Sequence, residues 1–465
     1  MTFRVNIIGG GLAGSEAALF LADAGVAVTL WEMRPETQTA VHKTGLFAEL
    51  VCSNSLKSTD PSTAAGMQKL ELRALDSRVF AIAESCAVPA GGALAVDRDA
   101  FANQVSARIA AHPGITVVRR ACPDVATACH DADAVILASG PLTSDGLAAD
   151  ISALTGASHL SFYDAAAPIV MADSLDMDVL FRQSRYEEDI GDYLNAAMEK
   201  QDYYAFIDAL LGADRVILHD FESKDLFQAC QPIEEVARTG RDAPRFGALK
   251  PVGIINPATG RRPWANVQLR AENMEGTCFN LVGFQTNLTF GEQARVFRMI
   301  PGLEHAEFTR YGVMHRNTFI DAPRLLDGSL RLQANTPCPV FVAGQLAGTE
   351  GYTEAIRSGL HTAIQVLGMS REVVVPPLPR DTAFGALLAY ATCPNTANYQ
   401  PSHVNFGLMR PLENPPRSKQ ERHAAYAQRG NQALDAYVEA LRSAGLLPGQ
   451  SLSVSALSAE GVVHE

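Results

Sequence analysis

The run Val5-Asn6-Ile7-Ile8-Gly9-Gly10-Gly11-Leu12-Ala13-Gly14 constrains the fold of this chain more than any other stretch. An apolar strand meets a glycine turn, helical spacing follows from Ser15 to Ala24, and Gly25 ends it. Val26 to Leu30 then makes a second strand that stops at Glu32. Strand, glycine turn, helix, strand and acid in that order predict a βαβ unit that binds a dinucleotide. Gly9 permits the tight turn, Gly11 lets backbone approach a pyrophosphate, and Gly14 lets helix and strand pack closely. Amides at the helix start, with Leu12 and Ala13 in its first turn, hold the phosphates. Glu32, 23 residues after Gly9, is spaced for an adenosine ribose hydroxyl.

At 465 residues the chain exceeds one ordinary domain. With 47% hydrophobic and 19% charged residues it reads as well-packed and globular. The start runs directly into a strand, and no long uncharged apolar run suggests a membrane span, so a cytoplasmic protein is expected. Eight cysteines (52, 86, 122, 129, 230, 278, 338, 393) lie far apart, without a C-x-x-C pair or a His pair of zinc spacing, so no metal site is expected.

Further strands are predicted at Thr116–Arg119 and Ala134–Leu137, the latter ending in the small-residue turn Ala138-Ser139-Gly140-Pro141. A strand of this kind returns beneath the cofactor in two-dinucleotide flavoproteins, so that resemblance favours a flavin. From about 161 the alternation gives way to an acidic, aromatic-rich stretch (Tyr186 to Leu211, predicted helical), a basic window, and Phe279 to Thr289. The first pattern resumes at Val340–Gly344, and Gly348-Thr349-Glu350-Gly351-Tyr352 opens another helix. Gly344, Gly351 and Tyr352 are therefore candidates for the cofactor's phosphate or ring edge. The predicted architecture is α/β, a Rossmann-like FAD-binding fold interrupted by an α+β insertion domain. Its parts are 1–160, the insertion 161–329, 330–440, and a mobile C-terminal tail 441–465.

Net charge is −13, which argues against wholesale polyanion binding, yet the window from Arg238 to Arg270 carries +6. Arg238, Arg241, Arg245, Lys250, Arg261 and Arg262 in it are candidate contacts to an RNA or other nucleic-acid phosphate backbone, while from charge alone a solvated loop with scattered arginines is the favoured reading. Two cysteines have suggestive contexts: Cys52 in Leu50-Val51-Cys52-Ser53-Asn54-Ser55, and Cys230 directly ahead of the basic window. A thiolate beside cations is a strong nucleophile; from the pattern alone, buried structural thiols are the favoured reading of both.

Taken together, Val5–Glu16, Glu49–Ser58, Ala90–Arg98, Pro141–Ser144, Tyr163–Val170, Cys230–Gly240 and above all Gly283–Ile320 resemble the flavin- and folate-dependent tRNA (uracil-5-)-methyltransferases over nearly the whole chain. The resemblance implies FAD as cofactor, with methylenetetrahydrofolate as carbon donor and NAD(P)H as reductant. It implies tRNA as the substrate, methylated at C5 of a T-loop uridine. Carried over residue by residue, Cys230 looks like the nucleophile that adds to C6 of the uracil, and Cys52 like its partner near the flavin. Arg34, His315, Arg316 and Tyr352 are further candidates for the pocket. Arg357, after Tyr352-Thr353-Glu354, departs from the small residue expected there.

The sister family that modifies the wobble uridine shares the glycine motifs and the Ala343-Gly344-Gln345 turn, but it carries a large helical C-terminal region. Here only a short stretch follows Pro376-Pro377. The same chemistry on ribosomal RNA, an NAD(P)H-dependent flavin oxidoreductase acting on a small molecule, and an RNA-binding flavoprotein without catalysis remain as alternatives.

Overall fold

The computed structural model describes residues 2–39, 41–156, 160–186, 191–216, 231–396 and 399–448. The apolar run at the N-terminus forms the strand Arg4–Ile8, buried from Val5 onward on both faces, as a parallel strand covered by helices must be. It lies third in a five-stranded parallel sheet ordered Val340–Val342, Ala134–Leu137, Arg4–Ile8, Ala27–Trp31, Ile115–Val118. Ile8 pairs with Trp31 on one side and Leu137 on the other. Strand order reverses at Arg4–Ile8, so a crevice opens beyond its carboxyl end, the usual position for a ligand in such sheets.

The helix Leu12–Asp23 leaves that crevice and packs against the helix Tyr352–Ser370. They touch backbone to backbone: a Cβ on Gly359 would stand 2.2 Å from the Ala13 carbonyl oxygen. A small sheet, Ser55–Ser58, Ala93–Val96 and Ala87–Val88, lies beside this layer and carries the Cys52 segment on its leading edge.

The interruption is built differently. Six strands pair antiparallel in the order Phe181–Arg182, Leu194–Met198, Ala265–Ala271, Cys278–Leu281, Ile169–Met171, Phe308–Arg310. Their apolar residues form a separate core with the helices Lys200–Leu211 and Phe290–Phe297, centred on Val267, Leu269, Phe279, Phe284 and Phe297. The chain leaves the parallel sheet through Leu160–Ala165 and returns through Met314–Phe319, which pair antiparallel as a ribbon.

Two expectations are corrected. The stretch Tyr186–Leu211 is not helical throughout: Leu194–Met198 is a strand paired with Ala265–Ala271, and the helix starts at Lys200. Leu194, Ala196 and Met198 are fully buried, so cross-strand packing overrides the local helical composition. A tail does not begin at 441: the last helix continues to Ser443, and Leu441, Leu446 and Leu447 are buried in the first core.

Candidate functional site

A cleft of about 320 Å³ opens at the strand-order reversal. Gly9, Gly11, Leu12, Ala13, Glu32, Cys52, Gly344, Gly351 and Tyr352 all line it. The glycines divide the work. Gly9 has φ +106°, and a Cβ there would lie 2.5 Å from the Ala138 carbonyl oxygen, so the turn passes directly under the loop after Ala134–Leu137. Gly14 would place a Cβ 1.9 Å from the Gly9 oxygen, and Gly10 would strike the Phe47 ring at 2.3 Å. Gly10 and Gly14 thus build the wall of the cleft instead of facing it. Around Gly11 nothing lies within 4 Å of a Cβ, so bare backbone faces open space.

Two helices begin at this cleft. Leu12–Asp23 starts after Gly11 and Tyr352–Ser370 after Gly351, and the N-cap residue of neither supplies a side-chain cap, while in the second the buried Glu354 carboxylate takes its own first-turn amide. Uncapped amides and the positive dipole end suit a phosphate. Glu32 is held by the Gly10 N–H, which donates to its Oε2 at 3.0 Å, and by the Arg34 Nε, which donates to Oε1 at 2.9 Å. Burial pushes its carboxyl up, but the Arg34 guanidinium outweighs that and keeps it below the usual carboxylate range. Arg34 also reaches Glu49 at 3.0 Å and is buried. The residues present therefore fit a dinucleotide such as FAD.

Cys52, half-buried, sits on a segment gripped from both lobes. The Tyr352 hydroxyl accepts the N–H groups of Cys52 and Ser53 at 2.9 and 3.1 Å. Arg98 donates to the Leu50 carbonyl and pairs with Glu272 at 2.9 Å. From the antiparallel sheet, Arg310 donates to the Val51 carbonyl, and Arg270 donates to Asn54 Oδ1 at 2.8 Å and Ser53 Oγ at 2.7 Å. Burial and the Arg98 cation draw Arg310 below the ordinary guanidinium range, while burial and the Cys52 sulfur push the Tyr352 phenol up. The pairing register with Ile169–Met171 shifts between Phe308 and Arg310, and Arg310 reaches the Cys52 segment from that shift. Sequence reading missed these arginines as a set. Arg98 entered only as the end of the Ala90–Arg98 segment, and Arg270 as the end of the basic window.

Cys230 lies outside the described residues. Its flanks are placed: the Val216 N–H donates to the Asn287 carbonyl and the Ile233 N–H to the Gln285 carbonyl, both at 2.8 Å. Glu234, fully buried, accepts from the Asn287 N–H at 2.6 Å and the Thr286 hydroxyl at 3.0 Å. Burial pushes its carboxyl up to about 7.

The basic window is not one patch. Arg270 is buried at the Cys52 segment. Arg238 pairs with Glu235 at 3.4 Å, Arg241 with Asp208 at 2.5 Å, and Arg245 lies over the Trp264 ring at 3.6 Å. Lys250, Arg261 and Arg262 are exposed and, among the described residues, have no ion pair. Of the other pocket candidates, His315 and Arg316 lie on the returning ribbon strand. Arg357 is buried against Glu71 at 3.3 Å and is not part of the cleft lining. Among the described residues no group of three or more His, Cys, Asp or Glu side chains could hold a metal ion.

Residues 4–373 match the family model described as glucose inhibited division protein A. The methylenetetrahydrofolate--tRNA-(uracil-5-)-methyltransferase TrmFO of Moorella thermoacetica is 50% identical over 431 residues, covering 92% of this chain and 97% of that protein. Its namesake in Bacillus subtilis is 47% identical over 427 residues, 91% and 96% of the two chains. A solved structure of Aquifex aeolicus GidA in its form I crystal superposes with a TM-score of 0.71 at 16% identity, covering 99% of this chain and 78% of that one, a likeness of fold.

Proposed function

Since the chain belongs to the glucose inhibited division protein A family and, within it, to the methylenetetrahydrofolate–tRNA-(uracil-5-)-methyltransferases, we propose that it methylates uracil C5 in tRNA, with FAD as cofactor and methylenetetrahydrofolate as carbon donor. The observation that carries this reading is the Cys52 segment at the cleft, held by Tyr352 and Arg98 from the dinucleotide lobe and by Arg270 and Arg310 from the antiparallel sheet. A thiol is thereby fixed where a cofactor and a substrate carried on different lobes would meet.

The reaction balances as follows. The folate gives up one carbon at the oxidation level of formaldehyde, NAD(P)H supplies two electrons that reduce it to a methyl group, and the uracil loses its C5 proton. FAD, when bound, would supply the hydride chemistry, and the amides after Gly11 and Gly351, together with Glu32, would hold it. Uracil C5 is a poor nucleophile until C6 carries a soft one. The Cys230 thiolate forms a C–S bond at C6, and the ring's electron pair is delivered at C5. After C5 has gained its carbon, loss of the C5 proton and departure of the thiolate restore the ring. Cys52 assists beside the flavin, in proton removal or protection of the reacting carbon.

A base in folded RNA must leave its stack to reach a thiol. Lys250, Arg261 and Arg262, exposed and without ion pairs among the described residues, are the best-placed backbone contacts. No helix among the described residues is long and apolar enough to cross a membrane, and on this reading the enzyme works in the cytoplasm on the T-loop uridine.

Transcripts carrying 5-fluorouridine test the reading, because fluorine at C5 cannot leave as a proton does. With methylenetetrahydrofolate and NADPH, the native protein is expected to give a covalent protein–RNA band on a denaturing gel, and Cys230→Ala none. A band of equal strength with Cys230→Ala overturns the nucleophile assignment.

A further inference from the structure

Three aromatic rings are stacked at the end of the Phe308–Arg310 strand. Phe308 and Tyr311 lie with ring centroids 5.1 Å apart and planes at 16°, and Tyr311 and Phe290 at 4.9 Å and 15°. Aromatic pairs inside cores adopt many tilts, as Phe284 and Phe297 do here at 81°. A near-parallel run of three that ends in a ring 53% exposed is a different object. Phe290, with one face against Tyr311, is the last step of a ladder that opens to solvent.

The ladder is rigid. Gln293, fully buried, donates from Nε2 to the carbonyls of Leu288 at 2.8 Å and Gly312 at 2.9 Å, and its Oε1 accepts the Gly312 N–H at 2.8 Å. One side chain thereby ties the residue after Tyr311 to the turn before Phe290. Gly312 admits no side chain, since a Cβ would stand 2.7 Å from the Ala166 carbonyl oxygen. Arg310, whose guanidinium holds the Val51 carbonyl beside Cys52, is the residue immediately before Tyr311.

We propose that Phe290, backed by Tyr311 and Phe308, is a stacking platform for a nucleobase of the tRNA loop next to the target uracil. The inference rests on the tRNA reading above. When a uracil leaves its loop, its neighbour loses a stacking partner, and a preset aromatic face replaces that partner at little ordering cost. Every base has a π-face, so the platform fixes the loop's position without reading its sequence.

The test uses native holoenzyme, Phe290→Ala, Phe290→Leu and Phe290→Trp, with tRNA transcripts and a second transcript carrying 2-aminopurine beside the target uridine. The expected result is a tRNA KM raised about tenfold in Phe290→Ala, more than kcat falls. The 2-aminopurine fluorescence is quenched by native protein and by Phe290→Trp, and less by Phe290→Ala. Phe290→Leu separates ring stacking from simple apolar contact and should resemble Ala. Native KM and native quenching in Phe290→Ala, or a Leu variant indistinguishable from native, overturn the platform. Failure of the native protein to methylate tRNA at all overturns the functional reading instead.

Discussion

The hydroxyl of Tyr352 accepts the backbone N–H of Cys52 at 2.9 Å, joining residues 300 positions apart. The same oxygen takes the Ser53 N–H at 3.1 Å, so one phenol on the first turn of the Tyr352–Ser370 helix sets the path of the thiol-bearing segment. Tyr352→Phe removes the acceptor and leaves two amides to find others, about 1–3 kcal/mol for each that stays buried. The variant is expected to keep its flavin absorbance and to lose about tenfold in kcat for methyl transfer, the loss that about 1.4 kcal/mol represents. Unchanged kcat would show that the segment keeps its path without this contact.

Gly9 and Gly11 are two residues apart and fail differently. A Cβ on Gly9 meets backbone at 2.5 Å at a φ of +106°, so Gly9→Ala strains the turn itself and is expected to lower Tm with or without FAD. A Cβ on Gly11 meets nothing within 4 Å of protein. Gly11→Ala should therefore leave the Tm of the FAD-free protein near native while weakening FAD binding by an order of magnitude or more. Equal FAD affinity in Gly11→Ala would place the pyrophosphate elsewhere.

Glu234 makes stability depend on pH. Its folded carboxyl is raised from 4.5 to about 7 by burial, so the neutral form is favoured in the fold. The stabilisation is fully present below pH 4.5 and is lost as pH rises toward 7, by about 3 kcal/mol in total. Thermal unfolding of the holoenzyme across that window should show the decline, and Glu234→Gln should flatten it. A native profile no steeper than that of the variant contradicts the assignment.

Lys250, Arg261 and Arg262 should act on tRNA alone. Replacing all three with Ala is expected to raise the tRNA KM severalfold and to reduce the slope of log affinity against log salt by about one per contact removed. Arg241→Ala, which breaks an ion pair with Asp208, should do less. The reverse order would move the RNA path toward the helix Lys200–Leu211.

What the sequence discloses follows from how local each cause is. The strand, turn and helix from Val5 to Asp23 and the strand ending at Trp31 are set by neighbours in the chain, and they stand as read. Leu194–Met198 was misread because its strand character comes from pairing with Ala265–Ala271. The arginine grip was invisible for the same reason: Arg98, Arg270 and Arg310 reach their partners across 48, 216 and 259 residues. A charge count cannot separate Arg270, turned inward, from Arg261 and Arg262, turned outward. The aromatic ladder was hidden too, since Phe290 and Tyr311 belong to separate elements joined by the side chain of Gln293.

The most direct measurement is the origin of the methyl carbon. Native protein, unmodified tRNA transcript, NADPH and methylenetetrahydrofolate labelled in its methylene carbon are incubated together, and the nucleosides are separated by mass. The account predicts labelled 5-methyluridine at the T-loop position, and none from Cys230→Ala. Consumption of NADPH with no label in tRNA, or label found only when ribosomal RNA is supplied, would contradict it.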